Sequence, residues 1–498
     1  MTRRSGMSFS FALDASAHAH LHEQLYHVIR AAILAGKLRP GERLPSMRAL
    51  ALQLNVGRNT VANAFGALAS EGYLKTRHGA AAVVTDDLPE EALRLRPSVA
   101  QAEVPVSASA TASPEISRRG LALLGAPMPF VRGIRGFAFR LGTPALDAFP
   151  TTAWERILRR RWSCSSARLL GDVDRCGYAP LREAIADYLS VARGLPTHSD
   201  RVIIVAGAQQ AFTIVAQLLL DPGDAVWVED PGYSGSLCAI LAAGGVPVPM
   251  PVDDRGARLD AALQRAPNAR LAVVTPANQF PLGVTMSDAL RRDLVAWAPR
   301  ADAWILEDDY DGEFRYTGTP VPALASLSPE RVVYAGTFSK VLSPSLRLGY
   351  LVVPDALVDA VAATKAIVAN HTAIFEQAVV CDFITSGQFQ RHVRRMRVLY
   401  GERRESREDA ARAELGGVAT LRPIQAGIHA ILDIDGDADL LASRAATAGI
   451  HATPLSAFAV EGRPPDALVL GFAAVPPAEQ RRALRALAGL PGAAGGAR

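Results

Sequence analysis

The stretch YAGTFSKVLSPSLRLGY, residues 334–350, follows an apolar strand and gathers several polar side chains in a short loop. These are Thr337, Ser339, Lys340 and Arg347. A lysine amine can form a Schiff base with an aldehyde cofactor when its surroundings lower its pKa. Two hydroxyls and a guanidinium suit a phosphate, because arginine makes bidentate charge-assisted bonds to it. Alone, such a cluster is more often an ordinary surface loop, so the interpretation needs support from other segments.

Other segments carry residues with matching chemistry. Asp308 ends the run AWILEDD, where a carboxylate could keep a pyridine nitrogen protonated, and Tyr310 follows as a phenol for a ring hydroxyl. Ala208 and Gln209 open a helix after the strand RVIIVAG, and amides at a helix start favour a phosphate. Tyr233 in EDPGYSG offers a flat face for stacking on a ring. Each residue also has a structural alternative, since Asp308 could cap a turn and Tyr233 could belong to the core.

Alternating apolar strands and longer helical stretches run through residues 137–498. This pattern predicts an α/β domain with a largely parallel sheet. The last part of the chain, from about Arg391, repeats helix and strand patterns and predicts a smaller C-terminal lobe. Residues 86–118 are rich in Pro, Ser, Ala and Glu without periodicity, which is typical of a flexible linker.

Residues 20–85 predict three short helices followed by a two-stranded hairpin. Apolar residues recur at helical spacing, and Ser46 offers a helix N-cap. This pattern is typical of a helix-turn-helix with a wing, which reads bases from the start of its third helix. The candidate DNA contacts are Arg48 on the second helix, Arg58, Asn59 and Thr60 at the start of the third, and His78 and Gly79 at the wing tip. The alternative is a three-helix packing module with a basic surface.

The distribution of charge supports the interpretation of residues 20–85 as a DNA-binding head. Residues 1–85 contain ten Lys/Arg against four Asp/Glu, whereas the whole chain has a net charge of only +4. A basic head on a near-neutral body suggests a polyanion partner.

The composition limits the class of protein. Apolar residues make up 49% and charged residues 20% of the 498 residues, as in folded globular proteins of more than one domain. No apolar run approaches the ~18–20 residues of a membrane helix, and the first residues lack the apolar run of a signal peptide. The four cysteines suit neither a zinc cage nor a disulfide framework. The sequence therefore predicts a cytoplasmic protein without a metal site or a membrane partner.

The head resembles the DNA-binding domain of the GntR family. The resemblance covers almost all of residues 20–85 and includes the phrase G-x-L-x-P-G-x-x-L-P-S and the N-T-V at the third helix. It implies a winged helix-turn-helix at residues 15–85 that binds double-stranded DNA through the residues named above.

The body resembles the fold type I aminotransferases over residues 137–475, and the whole chain resembles the MocR-like subfamily of GntR regulators. The phrases that carry this are DPGDAVWVEDPGY, TPANQFPLG, LEDDYDGEFRY, GTFSKVLSPSLRLGY and RRMRVLYGERR. The resemblance implies an aminotransferase-like domain at 119–498 that binds pyridoxal 5'-phosphate, with Lys340 as the Schiff-base lysine. Asp308 would pair with the pyridine nitrogen, Tyr310 and Asn278 would meet the ring hydroxyl, and Tyr233 would stack. The implied phosphate residues are Ala208, Gln209, Thr337, Ser339 and Arg347.

Three positions depart from the family pattern. Asn278 stands where the subfamily usually has histidine, and no tyrosine occupies the position before Gly177 that usually reaches the partner's phosphate. Val469 stands near the place of the arginine that clamps a substrate carboxylate in catalytic aminotransferases. Without that arginine a bound amino acid loses an ion pair worth ~1.5–3 kcal/mol.

These features predict a transcription regulator whose vestigial aminotransferase-like domain senses pyridoxal phosphate, an amine or an amino acid. The resemblance also implies a head-to-tail homodimer. Two alternatives stay open: a working aminotransferase with an accessory DNA-binding head, and a repressor whose body has lost the cofactor and serves only for dimerisation. The sequence leaves open the effector, the operator, the regulated genes and the sign of regulation.

Overall fold

The structure is a computed structural model that describes residues 13, 19–76, 81–86, 116–126, 138–164, 169, 171, 174–416 and 419–490. The chain divides into two compact units, residues 1–114 and 115–498, and each is described by itself. The predicted linker, 86–118, falls almost entirely outside the described residues.

The first unit contains the predicted three helices and the strand pair. Its elements are α1 (Leu21–Leu34), α2 (Met47–Leu54), α3 (Arg58–Ser70), β1 (Leu74–Lys75) and β2 (Val83–Val84), with β1 and β2 antiparallel. The Ser46 hydroxyl caps α2 by accepting from the Ala49 amide at 3.2 Å. Asn55 then takes a left-handed conformation that ends α2 and directs the chain into α3.

One apolar cluster holds this head together. Leu25, Ile29, Leu50, Phe65 and Leu68 are completely buried, or nearly so, between the three helices. These are the apolar positions that recur at helical spacing in the sequence. The polar start of α3 is therefore left on the surface.

The second unit is built on an eight-stranded sheet. In chain order its strands are β3 (Val202–Val205), β4 (Ala225–Asp230), β5 (Val246–Asp253), β6 (Gly256–Ala257), β7 (Leu271–Val274), β8 (Trp304–Asp309), β9 (Val332–Thr337) and β10 (Gly349–Val352). Their order in the sheet is β3-β10-β9-β8-β7-β4-β5-β6. Neighbours from β9 through to β5 are parallel, whereas β10 is antiparallel to both β3 and β9, and β6 is antiparallel to β5. The predicted α/β class is confirmed, with a mixed sheet whose centre is parallel.

Apolar cores lie on both faces of this sheet, and the helices of this unit pack on it or on the C-terminal lobe. Within the described residues they are α4 (Arg118–Leu124), α5 (Thr151–Ser163), α6 (Ala179–Ala192), α7 (Ala208–Leu219), α8 (Ser234–Ala243), α9 (Leu259–Arg265), α10 (Asp288–Arg300), α11 (Val358–Ala369), α12 (Ile374–Thr385), α13 (Gln388–Glu414), α14 (Ala438–Thr447) and α15 (Pro477–Ala488). None of the described helices combines the length and the apolar composition needed to span a bilayer.

The long helix α13 leads to a second, four-stranded antiparallel sheet in the C-terminal part. Its strands are β11 (Ala419–Leu421), β12 (His429–Ile434), β13 (Thr453–Pro454) and β14 (Ala467–Gly471), in the order β11-β12-β14-β13. Leu468 and Leu470 face the core of this lobe, and Ala467 and Val469 face the other side. This alternation gives β14 an outer face toward the large sheet's loops.

Candidate functional site

The predicted cofactor residues lie in loops at one edge of the large sheet. Strands β3, β4, β7, β8 and β9 run in the same direction and end at that edge. Because ligands of open α/β sheets bind outside the carboxyl ends of the strands, this edge is the expected place for a site. Tyr233 follows β4, Asn278 follows β7, Asp308 lies near the end of β8 and Lys340 follows β9.

Lys340 is held by a backbone carbonyl. Its Nζ donates to the Gly142 carbonyl oxygen at 3.2 Å. Burial lowers the pKa of the Lys340 amine, while the carboxylates of Asp311 and Asp308 act in the opposite direction. A lowered pKa raises the fraction of lysine in the neutral, nucleophilic form, which is the form that reacts in Schiff-base chemistry.

Gly142 is required in this arrangement. Its φ is +66°, and a Cβ there would stand 2.3 Å from the Lys340 Nζ. A side chain there would therefore strain the backbone and would displace the Lys340 amine from its present position.

Asp308 is a buried carboxylate without a cation of its own. It is 7% exposed, and burial raises its pKa to about 7, with further raising from the nearby Asp309. The Lys340 amine lowers this pKa in turn. Asp308 itself forms no ion pair with another residue in the described part of the chain. A protonated ring nitrogen would supply the missing cation.

Asn278 links Tyr310 to a second buried carboxylate. Its Nδ2 donates to the Tyr310 hydroxyl at 3.0 Å and to the two Asp311 oxygens at 3.0 and 3.1 Å. These bonds fix the orientation of the amide, and its Oδ1 is buried without a hydrogen-bond partner among the described residues. A buried amide oxygen without a partner can accept a hydrogen bond from a bound group.

The predicted phosphate residues meet where β3 and β10 lie side by side. Gly207 precedes α7 with a φ of +104°, and a Cβ on it would lie 3.7 Å from a guanidinium nitrogen of Arg347. Ala208 and Gln209 form the first turn of α7, so their amides point out of the helix start. Arg347 has a left-handed conformation, with φ of +48°, and forms no ion pair among the described residues. This combination is a concave, cationic cradle suited to an anion.

Two more hydroxyl residues border the Lys340 loop. The Thr337 Oγ1 accepts from the Ser339 amide at 3.1 Å and so shapes the turn between β9 and Lys340. Both side chains are partly exposed, so a phosphate could reach their hydroxyls.

Tyr233 closes another side of the site. Its ring lies 5.9 Å from the ring of Phe280, edge to face, and 5.9 Å from that of Phe212. Burial raises the pKa of Tyr233 to about 12, so the phenol stays protonated. The neighbouring Gln209 donates to the Gly235 carbonyl, and its Oε1 is buried without a partner among the described residues.

These features fit pyridoxal phosphate. The site has a half-buried lysine of lowered pKa, an unpaired buried carboxylate, a cationic cradle and two orphaned amide oxygens. When bound, the cofactor supplies an aldehyde for an amine and a ring that accepts electrons. The chain's own residues would orient it: Lys340 at the aldehyde, Asp308 at the nitrogen, Asn278 and Tyr310 at the hydroxyl, and Arg347 at the phosphate.

Sequence reasoning missed three residues of the site. Asp311 holds Asn278, Gly142 holds Lys340, and His429 of β12 lies beside Phe280 with ring centroids 5.3 Å apart. Asp311 could have been found as the next carboxylate in LEDDYDG. Gly142 and His429 come from distant parts of the chain and carry no local signal.

In the head, four of the predicted DNA residues are at least partly exposed. Arg48, Arg58 and Asn59 are exposed, and Thr60 is partly exposed in the first turn of α3. Neither arginine forms an ion pair with another described residue. His78 and Gly79, predicted at the wing tip, lie outside the described residues.

Both units match known families. Residues 147–487 match the aminotransferase class I and II family, and residues 21–84 match the gntR family of bacterial regulatory proteins. Among solved structures, the multiple substrate aminotransferase of Thermococcus profundus is similar with a TM-score of 0.67 and 26% identity. That likeness covers 75% of this chain and 96% of the aminotransferase.

Full-length relatives carry both units. The chain is 38% identical to the probable rhizopine catabolism regulatory protein MocR of Rhizobium meliloti, over 95% of this chain and 94% of the relative. It is 32% identical to the pyridoxine biosynthesis transcriptional regulator PdxR of Corynebacterium glutamicum, over 93% and 94%. The two units, in this order and at this identity, place the chain in the MocR-like subfamily of GntR-type transcription regulators, which join a gntR head to an aminotransferase-like domain.

Proposed function

We propose that this regulator binds pyridoxal 5'-phosphate on Lys340 and uses the loaded site to sense a small amine, an amino acid or the cofactor itself. The head binds a double-stranded DNA operator. The observation that carries the proposal is the half-buried Lys340 amine beside the buried Asp308 carboxylate, two opposite charges that act on each other although neither forms an ion pair among the described residues. A structural core rarely keeps such groups, since buried charges are costly unless they are paired.

An effector would act by population shift. An amine bound at the cofactor in place of Lys340 would free the lysine side chain and so would change what the Gly142 carbonyl contacts. A ligand changes a conformational equilibrium only by the difference in its affinity for the two states. The segment at Gly142 supplies such a difference, because it contacts the lysine and also pairs with the small lobe through the Phe139 carbonyl and the Gly471 amide.

A second copy of the chain would complete the proposed sensor. A cavity of about 840 Å³ has Arg347 in its wall and is otherwise mostly apolar, with Leu146, Trp154, Leu158 and Phe375 among its lining. A homodimer packed over it would shield the phosphate end of the site from water. That the dimer is head-to-tail, and that the protein acts in the cytoplasm, are expectations from the family resemblance.

The absorption spectrum tests the cofactor site. The purified chain with added pyridoxal phosphate should show a near-ultraviolet or visible band that disappears in Lys340→Ala. The chain has just four lysines, Lys37, Lys75, Lys340 and Lys365. Lys365 is also buried with a pKa lowered to about 8, so it is the natural competitor for the aldehyde.

Lys365→Ala is therefore the matched control. It should keep the band, because the Lys365 amine donates to the Arg175 carbonyl in a different part of the unit. A band that survives Lys340→Ala, or that is lost only in Lys365→Ala, would overturn the assignment. Steady turnover of an amino donor by the wild-type chain would favour the alternative of a working aminotransferase.

Arg58→Ala tests the DNA-reading face. A bidentate arginine–base contact discriminates by ~1–3 kcal/mol, so the variant should bind a duplex enriched from a random library roughly 5–150-fold more weakly and with relaxed sequence preference. The measurement is fluorescence anisotropy at fixed salt, since phosphate contacts depend on salt. Arg39→Ala, an exposed arginine outside α2 and α3, should lose less affinity and keep the preference. Equal losses in both variants would contradict a reading role for α3.

A further inference from the structure

The Asn278 side-chain amide is held in one orientation. Its Nδ2 donates to both Asp311 carboxylate oxygens at 3.0 and 3.1 Å and to the Tyr310 hydroxyl at 3.0 Å. If the amide were turned over, its oxygen would face the two acceptor oxygens of the Asp311 carboxylate. Both residues are buried, so water does not relieve such a contact. The donor end of Asn278 is therefore used inside the protein.

The loop before β12 packs against this pair. Gly427 has a φ of +82°, and a Cβ on it would collide with the Asn278 Nδ2 and stand 2.7 Å from an Asp311 oxygen. The Gly427 amide donates to the Phe314 carbonyl, and the Gly427 carbonyl accepts from the Tyr316 hydroxyl, both at 2.7 Å. These bonds keep the loop close to the amide nitrogen and restrict the rotation of Asn278.

The other end of Asn278 is a hydrogen-bond acceptor. Its Oδ1 is buried and has no hydrogen-bond partner among the described residues. Under the proposed function, Asn278 and Tyr310 meet the ring hydroxyl of the cofactor. The Tyr310 hydroxyl accepts from Asn278, and burial raises its pKa well above its usual range, so it keeps a hydrogen to donate. The ring oxygen would then face one donor, from Tyr310, and one acceptor, from Asn278.

The surroundings also disfavour a negative oxygen at this place. Four carboxyl groups raise the pKa of the Tyr310 phenol beyond the effect of burial: Asp311, Asp308, Glu229 and Asp309. The His429 ring, 6.5 Å from that of Tyr310, is neutral because burial lowers its pKa to about 4. Lys340 is a cation that acts on these carboxyl groups, and burial lowers its pKa as well. Burial and charge therefore favour a neutral ring hydroxyl together with a neutral lysine nitrogen.

We propose that Asn278 accepts a hydrogen bond from the ring hydroxyl and so keeps this hydroxyl protonated when pyridoxal phosphate is held on Lys340. The proposal rests on the proposed function and adds a property of the loaded site. With the proton on the ring oxygen, the nitrogen that Lys340 contributes stays neutral. An amine attacks a neutral C=N group more slowly than a protonated one, so the loaded site would exchange amines slowly. Slow exchange suits a sensor better than an enzyme with rapid turnover.

The absorption spectrum of the loaded full chain shows where the proton lies. A protonated ring hydroxyl absorbs in the near ultraviolet, whereas a negative ring oxygen conjugated with a protonated C=N group absorbs in the visible. At pH 8 the Lys340-dependent band should lie mainly in the near ultraviolet, and it should stay there when the pH is lowered to 6. A band that moves into the visible on acidification would mean that the ring hydroxyl had already lost its proton, and would overturn the proposal.

Asn278→Ala and Tyr310→Phe should change this spectrum in opposite directions. The alanine variant removes the acceptor, so the ratio of near-ultraviolet to visible absorbance should fall roughly fivefold, the effect of one hydrogen bond. The phenylalanine variant removes a donor that stabilises a negative ring oxygen, so the same ratio should rise. Both are recorded with saturating cofactor at pH 7, and Lys365→Ala is the control that should keep the wild-type ratio.

The outcomes separate the two proposals. A mainly visible band in the wild type, or an unchanged or higher ratio in Asn278→Ala, would overturn the acceptor role of Asn278 and leave cofactor binding intact. If Asn278→Ala does not hold the cofactor, the wild-type spectrum at the two pH values still decides. Absence of any Lys340-dependent band would overturn the proposed function instead.

Discussion

Asp308→Asn should stabilise the cofactor-free protein at pH 8 and at the same time weaken its affinity for pyridoxal phosphate. The carboxylate is buried, and its pKa in the folded protein is raised to about 7, mainly by desolvation. An unfolded aspartate has a pKa of about 3.9. Folding therefore favours the protonated form.

The sign of the pH dependence follows from linkage. Because the folded pKa lies above the unfolded one, the contribution of Asp308 is most favourable below about pH 4 and is lost as the pH rises through about 7. The penalty at pH 8 amounts to about 4 kcal/mol at most, from ~1.4 kcal/mol per pH unit. Asparagine has nearly the same shape without the charge, so the gain in unfolding free energy should be a few kcal/mol at pH 8 and small near pH 4.

Cofactor binding should change in the opposite direction. With the ring nitrogen protonated, the Asp308 carboxylate gains the cation it lacks, and a hydrogen bond to a charged group contributes about 1.5–3 kcal/mol. The variant should bind pyridoxal phosphate roughly 10–150-fold more weakly. Urea unfolding of the cofactor-free chain at several pH values measures the change in unfolding free energy. A titration with pyridoxal phosphate measures the change in its dissociation constant.

Glu307 is the matched control on the same strand. It too is buried with a pKa raised to about 7, but its carboxylate accepts the Leu324 and Ala325 amides at 2.7 and 2.8 Å. Glu307→Gln would place an amide donor against these donors and should destabilise the protein. If Asp308→Asn lowers stability at pH 8 as Glu307→Gln does, Asp308 is a structural carboxylate and its assignment to the cofactor is wrong.

The residues that could be predicted from sequence are those that follow strands. Asp308, Lys340 and Ala208 come after apolar runs, and parallel strands bring such positions to one edge regardless of their separation along the chain. The resemblance to a known family then assigned the roles. The predicted fold class is confirmed, including the smaller lobe, whose sheet was visible as short apolar runs.

The contacts that sequence could not supply are made by packing between distant segments. The Gly142 carbonyl contacts Lys340, and His429 contacts the Pro281 carbonyl. Both contacts form where the small lobe packs against the loops of the large sheet. No periodicity encodes such an approach. Val469 illustrates the difference. The sequence indicated that an arginine is missing at this position, and the structure adds that Val469 packs against Leu141, Leu282 and Ile431.

The buried network behind Asp308 was also invisible in the sequence. Arg193, just after α6, contacts the Asp309 carboxylate and lies 3.0 Å from the Glu313 carboxylate. The hydroxyls of Tyr188 and Tyr334 donate to Glu313 and Asp309 at 2.9 and 2.7 Å. Asp309 is adjacent to Asp308 in β8, so this network fixes the strand end that presents Asp308 to the site.

Arg193→Met should lower the unfolding free energy of the aminotransferase-like unit by about 3–5 kcal/mol, because it leaves two buried carboxylates without their cation. The defect should be larger at pH 8 than at pH 5, since protonation of the carboxylates relieves the penalty. Urea unfolding followed by circular dichroism measures it. Arg412→Met, which removes an exposed pair with Asp409, should leave the transition unchanged within error.

A triple variant distinguishes an electrostatic cause from lost packing. Arg193→Met combined with Asp309→Asn and Glu313→Gln removes the uncompensated charges and should recover much of the lost stability, because replacing a whole buried ionic group costs less than removing one partner. Recovery would show that Arg193 acts as the cation of this network. A triple variant as unstable as Arg193→Met, with the same defect at pH 5 and pH 8, would instead mean that the methylene packing of Arg193 holds the end of β8 in place.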